Sequence, residues 1–459
     1  MAHRFDPSIL RDYDIRGVVG DTLDAADGYA VGRSFGTLIV RAGGRRVAVG
    51  YDGRLSSPML EQAVVRGLAD SGVYVDRIGL GATPMLYYAQ AVLNVDGAIQ
   101  ITGSHNPADH NGFKLVFDGA PFFGEDIQRL GAMAAACDWV SGGGGSASIA
   151  MLDRYVARLA EGFDGVACRI GWDAGNGAAG PAVEKLVKLI PGEHHLLFTD
   201  IDGNFPNHHP DPTIEANLAD LKALVTDKTL DFGVAFDGDG DRIGVVDALG
   251  RVIGADQLLA ILAEPLLRDR PGATIIADVK ASQALFDRIA DLGGVPLMWK
   301  SGHSHIKSKM NETGSVLAGE TSGHLFFGDP YYGFDDGLYA AVQLIRAAGV
   351  LGRSVTALHD ALPVMVNTPE LRFPVAGDRR FEVVDAVRAR LEAAGADVDV
   401  TDGVRVTTAD GWWLLRASHT QDMLVARVEA RDGDALNRLI QTLDSHLADS
   451  GIFRPDSSL

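Results

Sequence analysis

With 459 residues the chain has room for about three or four domains, and its 46% apolar and 22% charged residues exclude wholesale disorder. The 61 Asp and Glu exceed the 41 Lys and Arg, for a net charge of −20, which excludes general binding to nucleic acid or an anionic membrane. Two cysteines, Cys137 and Cys168, with no CxxC pattern, exclude a disulfide framework or a cysteine-rich zinc site and point to a reducing cytoplasm.

In chain order, Met1 to Asp12 has no apolar signal-peptide core. Val47 to Asp52 is the first short apolar run that ends in aspartate, and Ile170 to Asp173 and Ile275 to Asp278 repeat the habit. Such runs, bounded by Gly and Asp and followed by helical patterns, predict buried strands in α/β layers, where ligands gather at strand C-terminal ends. Ser141 to Ser146, with four consecutive glycines, reads as a flexible linker. A hairpin-like segment ends near Gly250, and a helical pattern follows from Gln257 to Leu267. The apolar run Leu258 to Leu267 is broken by Glu264 and Pro265 and does not span a bilayer. A further boundary falls between Pro363 and Pro374, after which come a helix (Phe381 to Ala394), an alternating strand (Met423 to Ala430) and a last helix (Asp434 to Leu447). The expected domains are 1–145, 150–250, 251–365 and 370–459: three similar α/β units and a smaller α+β unit.

Four segments carry chemistry. Thr102-Gly103-Ser104-His105-Asn106-Pro107 follows the strand-like Ala98 to Ile101 and continues to Lys114. A serine in such a loop is a nucleophile when a base or metal activates it. It does not lie in a G-x-S-x-G elbow, so a serine hydrolase gets no support. Asp237, Asp239 and Asp241 alternate with glycines and are followed by Arg242, between two apolar runs. Three alternate carboxylates can wrap one hard cation. The twelfth position of an EF-hand would be Ala248 rather than Glu, so the loop reads as a magnesium site. Gly319 to His324 places Glu320 and Ser322 on a glycine-flanked turn suited to sugar hydroxyls. Arg416-Ala417-Ser418-His419-Thr420 offers one guanidinium and two hydroxyls for a phosphate. Tyr13, Arg16, Arg54, Lys280, and His303 with Lys307 are lesser candidates. No nucleotide-binding glycine motif is present.

In order and content these segments resemble the α-D-phosphohexomutase superfamily, in particular its bacterial phosphomannomutase/phosphoglucomutase branch, over essentially the whole chain. The resemblance implies four domains, the three α/β ones with mixed sheets, around a central cleft, and a phosphoserine at Ser104. It implies magnesium held by Asp237, Asp239 and Asp241 and touching the serine phosphate. Glu320 and Ser322 would grip sugar hydroxyls, and Arg416, Ser418 and Thr420 the phosphate that is not reacting. Tyr13, Arg16, Lys114, Arg242, Lys280, His303 and His324 match further substrate-contacting or acid–base positions, with Ser104, Lys114, Arg242 and His303 in the catalytic set. Glucose 1,6-bisphosphate would be the activator. The partners would be phosphorylated hexoses, with no nucleic acid or membrane, on a cytoplasmic monomer or weak dimer. Two departures stand out: His419, Gln421 and Asp422 replace the family's usual residues in the phosphate loop, and Thr321 stands where this branch often has Met. The implied reaction interconverts hexose 1- and 6-phosphates. Phosphoglucosamine mutase, a sugar-phosphate phosphatase and a non-enzymatic sensor are the rival readings.

Overall fold

The computed structural model describes residues 2–418 and 422–454. Four sheets follow one another along the chain. The aspartate-ended apolar runs become buried strands inside the first three: Arg46–Tyr51, Cys168–Asp173 and Thr274–Asp278. Each pairs in parallel with a neighbour on both sides, which is why both faces are apolar.

The same turn-back then occurs in each sheet. The parallel strand Gly97–Ile101 folds back into the antiparallel His110–Phe117, Phe232–Phe236 into Ile243–Asp247, and Leu317–Gly319 into Leu325–Phe327. The serine loop, the three-aspartate loop and the Glu320 loop are these three connections. The fourth sheet is wholly antiparallel, and Arg416 lies near the end of Gly411–Ala417, which pairs with Met423–Ala430. Two helices, Arg379–Ala393 and Gly433–Ala448, belong to this fourth unit. The mixed-sheet α/β units and the α+β C-terminal unit are therefore as expected.

The apolar cores are unequal partners. One buried cluster runs from Ala48 and Met85 through Trp172 and Phe236 to Phe327 and Leu358, so the first three units share it. The fourth has its own core, from Leu371 to Ile452, and meets the third through the small group Val279, Trp412 and Leu414. Helix Ala255–Asp269 continues through Pro265. Among the described residues no helix is long and apolar enough to cross a membrane.

The glycine run is not a free tether. Gly145–Ser148 pairs in parallel with Tyr74–Leu80 as an edge strand, and Gly142 and Gly144 donate backbone hydrogen bonds to Asp70 and Ala69. A side chain at Gly144 would lie 2.8 Å from the Ala69 Cα and would clash with the Val73 carbonyl oxygen. The glycines allow two backbones to touch, a use that composition alone does not distinguish from flexibility. Gly144→Ala should therefore lower the stability by about 1–3 kcal/mol in denaturant titration, with turnover per folded molecule unchanged. A true linker would tolerate the substitution without loss.

Candidate active site

The serine loop is shaped by its neighbours. Ser104 is buried and sits at φ 49°, a conformation costly for a residue with a side chain. Arg54, itself buried, holds it there: NH2 donates to the Ser104 and Asn106 carbonyls at 2.7 and 2.6 Å, and NH1 to that of His110 at 2.9 Å and to that of Pro107. Asp52 anchors Arg54 Nε at 3.2 Å and accepts the Gly103 N–H at 3.0 Å. A Cβ at Gly238 would strike the Ser104 carbonyl oxygen, so glycine in the acidic loop is what lets the two loops touch. Arg16 NH1 adds a bond to the Gly103 carbonyl at 2.8 Å.

The contact brings Ser104 and the carboxylates together. Ser104 Oγ donates to Asp237 Oδ2 at 3.0 Å and lies 3.2 Å from His105 Nδ1. Carboxylate oxygens of Asp237, Asp239 and Asp241 lie within 4.8 Å of one another, and all three residues are buried. Lys114 Nζ reaches Asp239 Oδ2 at 2.8 Å and Asp241 Oδ2 at 2.5 Å. Burial works against the lysine's charge, but Asp239 and Asp241 outweigh it and hold the ammonium well above its ordinary pKa. Asp239, for its part, is held below the ordinary carboxylate range, with Lys114 overcoming burial. Asp237 is less well compensated. Burial and then its two acidic neighbours push it well up, and Arg242 Nε stands 4.0 Å away. Among the described residues Asp239 Oδ1 and Asp241 Oδ1 are buried with no hydrogen-bond partner. All-oxygen donors, two buried oxygens without a hydrogen bond and a carboxylate only partly compensated fit a hard divalent cation.

The third unit supplies a histidine pair. Arg242 Nε donates to His324 Nε2 at 3.0 Å, and His324 Nδ1 lies 2.8 Å from Asp335 Oδ2. Lys307 Nζ stands 3.1 Å from Asp335 Oδ1 and 3.2 Å from the Tyr87 hydroxyl of the first unit. The His303 ring is 5.6 Å from His324. Burial, reinforced by Lys307, pushes His303 well below the ordinary imidazole range, so it is uncharged at neutral pH. Its buried Nδ1 has no partner among the described residues. Glu320 accepts the Gly302 N–H at 2.6 Å. Burial pushes its carboxyl upward against the pull of His324.

A cavity of about 560 Å³ joins these groups, and Tyr13, Arg16, Ser104, Lys114, Arg242, Lys280, His303, Glu320, Ser322, His324, Arg416 and Ser418 all line it. The three aspartates lie beneath its wall, and Thr420, with His419 and Gln421, lies outside the described residues. Lys280 Nζ is 3.8 Å from both Asp278 and Glu370 carboxylates. Burial of Arg416 is outweighed by Asp402, which keeps the guanidinium firmly charged. Thr83, Tyr87 and Asp402 carry no motif of their own and are found only through their contacts across units, with Asp239, Lys307 and Ser301. Arg54, a minor candidate in the sequence, turns out to organise the whole serine loop.

Family models for phosphoglucomutase/phosphomannomutase α/β/α domains I, II and III match residues 8–139, 153–250 and 254–365, and that for the C-terminal domain matches 370–446. The phosphomannomutase/phosphoglucomutase of Pseudomonas putida is 44% identical over 433 residues, 94% of each chain. The phosphoglucomutase of Neisseria gonorrhoeae is 42% identical over 440 residues, 94% of this chain and 95% of its own. A crystal structure of a phosphoglucomutase/phosphomannomutase family protein from Burkholderia thailandensis superimposes with a TM-score of 0.93 at 42% identity, covering 97% of this chain and 98% of that one. With four matching models in order along the chain, and their loops converging on one cleft, the protein belongs to the phosphoglucomutase/phosphomannomutase family.

Proposed function

We propose that the protein reversibly interconverts the 1- and 6-phosphates of glucose, mannose or both, through phosphorylated Ser104 and a hexose 1,6-bisphosphate. The observation that carries this reading is one cavity in which Ser104 and Arg416 both face the hydroxyl-reading Glu320 and Ser322. A phosphatase needs the nucleophile but not a second phosphate grip across a sugar-sized space. The named relatives, at 42–44% identity, act on glucose or on both sugars according to their names, which favours these hexoses over glucosamine.

The sugar hydroxyl attacks the phosphorus of phosphoserine, the bond to Ser104 Oγ breaks, and the serine oxygen recovers a proton as the sugar loses one. Arg242 and Lys114 meet the charge that develops on the transferring oxygens. Lys114, charged and paired twice, is a poor base. His303 is uncharged and lines the cavity, so it takes the hydroxyl proton. Arg416 and Ser418, with Thr420, hold the remote phosphate, and that binding energy positions the reacting end. Glu320 and Ser322 read hydroxyls in either orientation. The bisphosphate then turns, and its other phosphate returns to Ser104. Asp237, Asp239 and Asp241 would hold magnesium, which supplies positive charge beside the transferring group when bound. Glucose 1,6-bisphosphate would activate by restoring the phosphoserine. The separate core of the fourth unit suits a part that closes over the cleft and keeps water from the phosphoserine. Two free cysteines fit a cytoplasmic enzyme, and a site built from one chain fits a monomer or weak dimer.

Ser104→Ala should abolish turnover while the melting curve stays at the wild-type position; retained isomerisation would remove Ser104 as nucleophile. Arg416→Ala should lower kcat/KM by at least about tenfold, as expected for losing a charge-assisted, bidentate phosphate contact, and an unchanged value would end that assignment. In a coupled assay on glucose 1-phosphate and mannose 1-phosphate, with magnesium and a trace of glucose 1,6-bisphosphate, 6-phosphates should form without release of inorganic phosphate. A chelator should stop their formation. Release of phosphate without isomerisation would make water the acceptor and overturn the mutase reading.

A further inference from the structure

The guanidinium assigned above to the remote phosphate is not an open charge. Arg416 is 9% exposed, and its NH2 lies 3.1 Å from Asp402 Oδ2. The same Asp402 oxygen accepts the backbone N–H of Ser301 at 3.1 Å. Ser301 belongs to the third unit: its hydroxyl donates to Asp278 Oδ2 at 2.8 Å, and its carbonyl accepts the Tyr13 hydroxyl at 3.2 Å. Asp402 thus stands between the cation of the fourth unit and the turn that opens the His303 helix. Gly403, at φ 88°, presses this loop onto the arginine, because a Cβ there would lie 2.7 Å from the Arg416 Cβ. The carboxylate cannot swing away without giving up the Ser301 N–H.

We propose that Asp402 is a positioning residue that weakens the phosphate grip of Arg416 by sharing its charge, so that the bisphosphate can let go and turn. The inference rests on the reading of Arg416 as the remote-phosphate ligand. Each turnover requires one phosphate to leave this grip and the other to enter it. A buried guanidinium with no opposing charge binds a phosphate dianion in bidentate fashion and strongly. Tightness of that kind stabilises every bound state alike, so it lowers KM and adds nothing to kcat. When it also holds the intermediate against rotation, kcat falls. A fixed carboxylate beside the guanidinium repels the incoming dianion and sets the grip at a strength that is reversible. Because the pair is buried, water screens this repulsion poorly.

The test is steady-state kinetics on glucose 1-phosphate with Asp402→Asn, which keeps an oxygen for the Ser301 N–H and removes only the charge. KM should fall on the order of tenfold, the scale of one charge contact at a buried site, with kcat falling alongside it. Asp402→Glu should return both values toward wild type, and Arg416→Ala should erase the effect in the double variant. An Asp402→Asn enzyme with unchanged or raised KM overturns the proposal, since a purely structural aspartate predicts that result. If Arg416→Ala alone leaves KM and kcat/KM unchanged, the assignment of the phosphate grip has failed instead, and the role of Asp402 falls with it.

Discussion

Three carboxylates cannot share one buried loop unless cations meet them there. Asp237, Asp239 and Asp241 obtain theirs from two places: Lys114 on His110–Phe117 of the first unit, and Arg242 at the end of their own loop. This requirement pins the first unit against the second and sets Ser104 on Asp237. It also leaves a definite deficit, concentrated on Asp237 and on the orphaned oxygens of its neighbours. The deficit has the sign and donor chemistry that a divalent cation would meet. Thus the concentration of buried negative charge that is costly for the loop is what would hold a cation for phosphoryl transfer.

The charge path continues outward. Arg242 meets His324, His324 meets Asp335, and Asp335 meets Lys307, whose ammonium reaches Tyr87 in the first unit. These contacts link the first three units to one another, and a shared apolar core lies across the same units. The fourth unit is tied differently. Its core is separate, and it meets the third unit through the Val279, Trp412 and Leu414 group, the buried Arg405 donating to the Val279 and Ala281 carbonyls, and Asp402 on Ser301. A three-unit site with a separately built fourth wall suits the proposed reaction, whose intermediate must be retained and yet rotate.

What was legible in the sequence follows from this geometry. The motif loops could be read because each is local: serine after a strand, alternate Asp-Gly, Glu and Ser on a glycine turn. Their common position at a parallel-to-antiparallel turn-back explains why three unlike motifs each follow a short apolar run. Thr83 and Asp402 could not be read in this way. Their work lies in contacts with residues 156 and 101 positions away, Asp239 and Ser301 respectively, and nothing in their own neighbourhood marks it. The glycine run failed for a related reason. Its glycines answer to a backbone surface, 142 against 72 and 144 against 69, that only the folded sheet creates.

Thr321 shows how the fold limits what one departure from a family pattern can mean. In the sequence it stands between Glu320 and Ser322, where a change of residue invites a change of sugar. In the structure its N–H and hydroxyl both turn to Asp278, at 3.3 and 3.2 Å, while Glu320 and Ser322 line the cavity. Asp278 also accepts the Ser301 hydroxyl, so one buried carboxylate at a strand end ties together the Glu320 loop and the turn before His303. On the proposed reading Thr321 bears on the sugar through the backbone it steadies. The groups that do line the cavity, a carboxylate and a hydroxyl, accept and donate without demanding one epimer. On the same reading a site of that kind would hold a hexose by shared hydroxyls and two phosphates, and would lose little when the 2-hydroxyl changes face. On the proposed mechanism this tolerance has a second use, because the same pair must read the sugar in both of its orientations.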